Sequence, residues 1–365
     1  MKRNRDRIAL LFIFLISVFV SQPVWAQENQ PESSAPQAEQ ITVVEGVIQS
    51  QQEEGTEEIS TDAPKLEFLF DGGNPSNVEE LKLMETRFAD LTEKLFPATV
   101  NIQVGQSQGS GVVVSSDGVV LTAAHVIGKP GEIAVIYFPD RKKRYLADTL
   151  GVNSGAIDSG MLKIRNPKGE VFPTIDLGVS NELNLGQWVM AVGHPGGFNV
   201  QRGLVARVGR IVGATDGVVR TDCTLVGGDS GGPLIDMNGD LIGIHSRIGG
   251  SLIDNLHVPV DQFSENWDKL AQGLLLHARP NLGINIVDDT NEVQEVAKGR
   301  SADKAGIKPG DKIIQLEGID IENAADLGAA IRELELLPRQ KIKVVILRDD
   351  KEKKVDLVVG TRSRN

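Results

Sequence analysis

GGDSGGPL, running from Gly227 to Leu234, sets a single serine among four glycines. Glycine has no Cβ, so this backbone can turn tightly enough for the Ser230 hydroxyl and the N–H groups of Gly228 and Ser230 to face one carbonyl. A Gly-rich hairpin turn would account for the glycines, but not for Asp229-Ser230 inside them. Ser230 is therefore a candidate nucleophile, with Gly228 and Ser230 as candidate oxyanion donors. A serine in that role needs a base in hydrogen-bond reach and a third group to orient the base.

The chain has five histidines from which to choose the base. His125 closes the strand-like run VVLTAAHV, Val119 to Val126, where small residues precede it and its imidazole can sit at a strand end facing a cleft. His194 and His257 read as structural, and His277 falls in a linker. His245, in IGIHSRIGG, follows the nucleophile and could run along a substrate cleft, but the motif around His125 favours His125. For the orienting carboxylate, spacing does not choose among Asp140, Asp148, Asp158 and Asp176. Asp158 heads the strand-like SGMLKI, whereas Asp148 lies in a charged, solvated stretch. The order His, Asp, Ser is that of the chymotrypsin-type arrangement and differs from those of subtilisins and α/β-hydrolases. No close His/Cys/Glu spacing suggests a metal site, and no cofactor is expected.

Composition narrows the setting. At 365 residues the chain has room for two domains plus processed or disordered segments. Its 39 glycines and 4% aromatics point to many turns and Val/Ile/Leu strands, hence a β-rich body. A net charge of -12 without a basic run in the body excludes a nucleic-acid footprint. The single Cys223 cannot form an internal disulfide, so the core must hold the fold.

Residues 1–26 read as an export signal: Lys2, Arg3, Arg5 and Arg7, an apolar run from Ile8 to Val20, then Val24-Trp25-Ala26 as a cleavage site. The apolar run is shorter than the roughly 20 residues that span a bilayer, which favours cleavage over an anchor. Residues 27–77 form a linker, Gln-, Glu-, Ser- and Pro-rich over most of its length and too poor in large apolar residues to fold. Helical spacing predicts a helix over Val78 to Leu95. Short strand-like runs then follow: Thr99 to Val104, Gly111 to Val114, Val119 to Thr122, Ile133 to Tyr137, Met161 to Ile164 and Trp188 to Val192. Four more lie at Gly203 to Ile211, Gly232 to Asp236, Leu241 to Arg247 and Leu256 to Val260, with a closing helix over Phe263 to Leu276. Many short strands without alternating helices indicate an antiparallel sandwich or barrel. A first domain over 78–277 and a second, of mixed αβ content, over 281–360 follow. In the second, strands are expected at Ile284 to Val287, Val293 to Val296, Lys312 to Leu316, Lys341 to Arg348 and Lys353 to Val359, with helices at Ala302 to Ala305 and Ala324 to Leu334.

Taken together, GSGVVVSSDGVVLTAAHV (Gly109 to Val126), IDSGMLKI (Ile157 to Ile164) and TDCTLVGGDSGGPL (Thr221 to Leu234) resemble the HtrA/Deg family of trypsin-like serine proteases. The resemblance runs from about Glu85 to Gly360. It implies a mainly β fold: a trypsin-like double β-barrel followed by a small α+β PDZ domain. It also implies that Asp158 completes a triad with His125 and Ser230. NLGI at Asn281 to Ile284 and SADKAGIKPGDKIIQLEG at Ser301 to Gly318 resemble the PDZ module, in which Leu282, Gly283 and Ile284 would cradle a peptide carboxylate and a strand edge would add the peptide backbone. A PDZ-like domain with a blocked groove is the alternative.

The family implies unfolded or misfolded protein substrates, peptide C-termini as ligands, a periplasmic or other extracytoplasmic location, and a homo-oligomer, commonly a trimer. Leu225 would line the pocket for the substrate side chain and favour small or medium apolar residues. A catalytically weak binding or chaperone scaffold is the competing function. Two features depart from the family: Asp229 replaces its usual Asn, and AVGHPGGFNVQRG at Ala191 to Gly203 replaces its commoner Asn-Pro version. Digestive trypsins use an aspartate before the serine to bind a new N-terminus, but no IVGG-like activation site occurs in this chain, so that mechanism does not transfer. The roles of Asp229 and His194 stay open.

Overall fold

The computed structural model describes residues 66–361 apart from 141–142, 156, 167, 251–253 and 288. The expected export signal and residues 27–65 of the expected linker lie outside the described residues. The chain is packed from Phe68 onward. Helix α1 (Phe68–Asp71) buries Leu69 completely, and Gly73 O accepts a hydrogen bond from Trp188 Nε1 at 3.1 Å. Arg210 stacks over the Trp188 ring at 4.1 Å and donates to Gly72 O and Gly73 O. Residues 66–77, placed in the linker by composition, are thus held by aromatic anchors that a compositional average hides.

Helix α2 (Val78–Leu95) spans the range its apolar spacing predicts. Asn77 caps it by accepting from the Glu80 N–H at 2.8 Å, Glu79 and Glu80 sit in its first turn, and Lys94 in its last. It buries Met84, Leu91 and Leu95, and Phe96-Pro97 ends it.

Two closed six-stranded barrels follow. The first contains β1 (Thr99–Val104), β2 (Ser107–Val113), β3 (Val119–Ala123), β4 (Ile133–Tyr137), β5 (Arg144–Ser154) and β6 (Asp158–Ile164) in the spatial order β1-β2-β3-β6-β5-β4. Between β3 and β4 lies the single-turn helix α3 (Ala124–Ile127). The second contains β7 (Trp188–Gly193), β8 (Val205–Thr215), β9 (Val218–Thr221), β10 (Pro233–Ile235), β11 (Leu241–Ile248) and β12 (Asn255–Pro259), in the order β10-β11-β12-β9-β8-β7. Read from their first strands, the two orders are the same. Strands β5 and β9 had not been expected from sequence. In β5 buried Tyr145, Ala147 and Thr149 alternate with outward residues, but Ala and Thr give that alternation little apolar contrast, and β9 is only four residues long. The expected single closing helix is instead two, α4 (Asp261–Glu265) and α5 (Trp267–Ala271), because Asn266 leaves helical geometry between them.

The C-terminal unit holds β13 (Pro280–Asn281), β14 (Ile284–Ile286), β15 (Val293–Val296), α6 (Ser301–Lys304), β16 (Lys312–Leu316), β17 (Ile319–Asp320), α7 (Ala324–Glu333), β18 (Lys341–Arg348), β19 (Lys351–Val358) and β20 (Gly360–Thr361). Its core is a separate apolar cluster that includes Leu282, Ile313, Leu316, Val344 and Leu357. Arg348 pairs with buried Asp311 at 2.6 Å. Among the described residues no helix is long and apolar enough to cross a membrane.

Candidate active site

Antiparallel pairing of β3 with β6 sets Ala123 opposite Ser159. That register brings His125, just past the end of β3, beside Asp158, the first residue of β6. His125 sits in α3 rather than at the strand end itself. Gly160 makes this possible, since a Cβ there would lie 2.9 Å from Ile127 Cδ1 and 3.3 Å from Ala124 Cα. Asp158 grips His125 twice: Oδ1 accepts its backbone N–H at 3.0 Å, and Oδ2 lies 2.6 Å from ring Nδ1. Ser246 donates its hydroxyl to the same Oδ2 at 2.7 Å. Burial works to raise the Asp158 carboxyl, but the hydrogen bonds from His125 and Ser246 outweigh it and hold the group below its ordinary value. An ionised carboxylate can only accept, so His125 donates to it through Nδ1. The other carboxylates lie elsewhere, Asp148 being paired with Arg165 at 2.6 Å.

The GGDSGGPL segment is the turn that leads into β10. Gly228 and Gly231 have φ of 97° and 87°, a left-handed region that side chains disfavour. Both glycines also touch backbone: a Cβ on Gly228 would strike His194 O, and one on Gly231 would strike Ser110 O and Thr122 Oγ1. Ser230 O accepts from the Ser110 N–H at 2.7 Å, which joins the turn to β2. The turn that carries Ser230 therefore abuts β2 and β3 of the first barrel.

Both carbonyls flanking the Gly228 N–H are held. Gly227 O accepts from the Gly196 N–H at 2.6 Å, and Gly228 O accepts from Ser110 Oγ at 2.9 Å. In a trans peptide the N–H points away from its C=O, so fixing Gly227 O aims the Gly228 N–H away from the 194–197 loop. Since the Ser110 proton goes to Gly228 O, the contact of Ser110 Oγ with His194 Nδ1 at 3.1 Å has the imidazole donating. His194, buried and lowered to about 4 by its burial and by nearby Arg202, is thus a neutral support for the turn. Sequence gave no sign of Ser110. Ser246 had one faint signal: it adjoins His245 in the segment considered for the cleft.

His245 and His257 are buried inside the second barrel. His245 Nε2 lies 3.2 Å from Val192 O, a carbonyl that can only accept, so Nε2 carries the proton. Its Nδ1 must then accept from His257 Nδ1 at 2.9 Å, and His257 Nε2 accepts from the Thr221 hydroxyl at 2.7 Å. Every proton of this chain is placed with both rings neutral. Burial lowers His257 to about 3, and burial with the neighbouring His257 keeps His245 well below its ordinary value. Leu225 is 4% exposed and packs with Val189, Ile211, Cys223 and Leu234 in the barrel core. In the C-terminal unit Leu282 is a core residue and Gly283 has φ of 78°. The Gly283 N–H is already taken by Asn281 Oδ1 at 2.7 Å, which removes that amide from the expected cradle.

Residues 109–244 match the trypsin-like peptidase domain family and residues 280–359 the PDZ domain family. The chain carries a trypsin-like peptidase domain followed by a PDZ domain, as HtrA/Deg proteins do. A "probable periplasmic serine endoprotease DegP-like" of Ectopseudomonas mendocina is 32% identical over 280 residues, 70% of this chain and 57% of that protein. The protein of the same description from Hahella chejuensis is 32% identical over 281 residues, 71% of this chain and 58% of that one. The chain thus matches little more than half the length of these relatives. Among solved structures, a serine endoprotease from Yersinia pestis aligns at 23% identity and a TM-score of 0.46, over 76% of this chain and 98% of that one. The HtrA-type protease AlgW with a tripeptide aligns at 25% identity and a TM-score of 0.45, over 76% of this chain and 98% of that one.

Proposed function

We propose that this HtrA-like chain is an exported serine endopeptidase that hydrolyses unfolded or damaged extracytoplasmic proteins through an acyl-enzyme on Ser230. One observation carries the proposal: Asp158 holds His125 through its backbone N–H and ring Nδ1, and the turn that carries Ser230 is hydrogen-bonded to Ser110 of the same barrel. Ser230 Oγ attacks the peptide carbonyl carbon while His125 Nε2 takes the hydroxyl proton. The N–H groups of Gly228 and Ser230 stabilise the oxyanion. The C–N bond breaks as Nε2 returns the proton to the leaving amine, and a water then attacks the ester by the same proton route. Asp158 stays ionised and stabilises the imidazolium.

Leu225 would bound an apolar side-chain pocket suited to small or medium residues. The PDZ unit, over 281–360, would take peptide C-termini along β14 or regulate the peptidase unit over 78–277. The periplasmic relatives and the signal-like N-terminus support an extracytoplasmic location. A homo-oligomer is expected, and light scattering of the processed protein would reject it by returning the mass of one subunit.

The decisive test compares cleavage of unfolded casein by the purified chain and by Ser230→Ala. Loss of the serine is expected to cost about 10⁶-fold in turnover. Equal cleavage by both would overturn the proposal and leave a binding scaffold.

A further inference from the structure

Asp229 stands between the proposed oxyanion donor Gly228 and the proposed nucleophile Ser230, and it has no solvent exposure. It is built into the turn. Its N–H donates to Val226 O at 3.1 Å, its Oδ2 accepts from the Val226 N–H at 2.9 Å, and its C=O accepts from the Gly232 N–H at 2.8 Å. The carboxylate is thus part of the hydrogen bonding that shapes residues 226–232. A charge in this position requires compensation, because a buried unpaired carboxylate is strongly destabilising. Hydrogen bonds satisfy only one of its oxygens: Oδ1 has no hydrogen-bond partner among the described residues and faces Gly193, where a Cβ would lie 2.6 Å away.

The cation comes from across the barrel. Arg207, on β8 opposite Ala191, reaches Asp229 Oδ2 with Nη1 at 3.1 Å. The contact is an ion pair without hydrogen-bond alignment, since Nη1 has no hydrogen-bond partner among the described residues. Its contribution is therefore neutralisation. Burial holds the Asp229 carboxyl above its ordinary value, against the Val226 N–H, Arg207 and, last, Arg202, which pull it down. Arg207 itself is mostly covered, with 20% of its side chain exposed.

We propose that Arg207 is a positioning residue for the peptidase reaction: its guanidinium neutralises Asp229 inside the second barrel and so holds the 226–232 turn in the shape that presents the Gly228 and Ser230 N–H groups. This rests on the function proposed above. Arg207 supplies from within the folded chain the positive charge that lies against the buried aspartate. The assignment also accounts for the pairing of an aspartate before Ser230 with an arginine inside β8.

The test is a double-mutant cycle on the full chain, with kcat and KM measured on a peptide amide, Ser230 titrated with a fluorophosphonate, and thermal unfolding recorded for each variant. Arg207→Met is expected to lower kcat and the fluorophosphonate labelling rate by about 10²-fold, the scale of losing one oxyanion donor, with KM little changed. Arg207→Lys should recover most of that loss. In an Asp229→Asn background the same Arg207→Met change should alter kcat by less than about threefold, because no charge is left to neutralise. The double variant serves equally if Arg207→Met alone does not fold. Arg207→Met with wild-type kcat, a Lys variant as impaired as the Met variant, or an equal loss in the Asn background would overturn the assignment. A wild-type chain that neither cleaves the amide nor takes the fluorophosphonate would overturn the peptidase function instead.

Discussion

The two barrels share one strand order and differ in what they bury. In the first, the buried polar groups among the described residues are neutral hydroxyls and amides, such as Thr122, Thr149 and Asn153, around an apolar core in which Phe138, Tyr145 and Phe172 pack ring to ring. In the second they include His194, Asp229, His245 and His257. The first barrel keeps its titratable pair at a strand end, His125 half exposed and Asp158 only slightly. The same topology thus serves two purposes. One barrel holds a half-exposed histidine beside a carboxylate, and the other sets buried polar groups behind the 226–232 turn.

Breaking the pair on the first barrel should have the largest effect. Asp158→Asn removes the acceptor that sets the His125 tautomer, and kcat is expected to fall by about 10⁴-fold with the unfolding temperature little changed. Near-normal turnover would shift the orienting role to another carboxylate. A smaller effect tests the contact between barrels: Ser246→Ala removes one hydrogen bond to the ionised Asp158, and kcat should fall about tenfold. An unchanged kcat would mean that the second barrel contributes only the turn.

Acid should separate the barrels next. His245 and His257 are neutral when folded, with values below the 6.5 of an unfolded histidine, so below about pH 6.5 the unfolded chain binds more protons. The stability they contribute is fully present above that value and is lost as pH falls, by about 1.4 kcal/mol per unit for each histidine. Urea unfolding at pH 7, 6 and 5 should show this slope, and His257→Gln should remove one proton's share of it. A slope indifferent to that substitution would place the acid sensitivity outside the histidine chain.

Much of this organisation was legible beforehand. Helix α2 and strands β1 and β4 have the expected bounds, because strong 3.6- and 2-residue periodicities are local properties of side chains. The Ser230 turn was legible for the same reason, since a φ of 97° at Gly228 demands glycine whatever lies around it. Strand β5 escaped because its inward residues include Ala and Thr, and α4 and α5 were merged because Asn266 does not look like a break.

By itself the sequence singled out Ser230 and His125 as the candidate nucleophile and base, and it carries an export-like N-terminus, features written in contiguous residues. Tertiary structure alone decided the rest. Ser246 meets Asp158 across 88 positions, Ser110 meets His194 across 84, and Arg207 reaches Asp229 from another strand. Such partners carry no local signature, because a hydroxyl or a guanidinium is chosen by the charge that the fold brings against it. Asp229 shows this in one residue: its place beside Ser230 was plain from the start, and its need for a buried cation became visible only once the barrel closed around it.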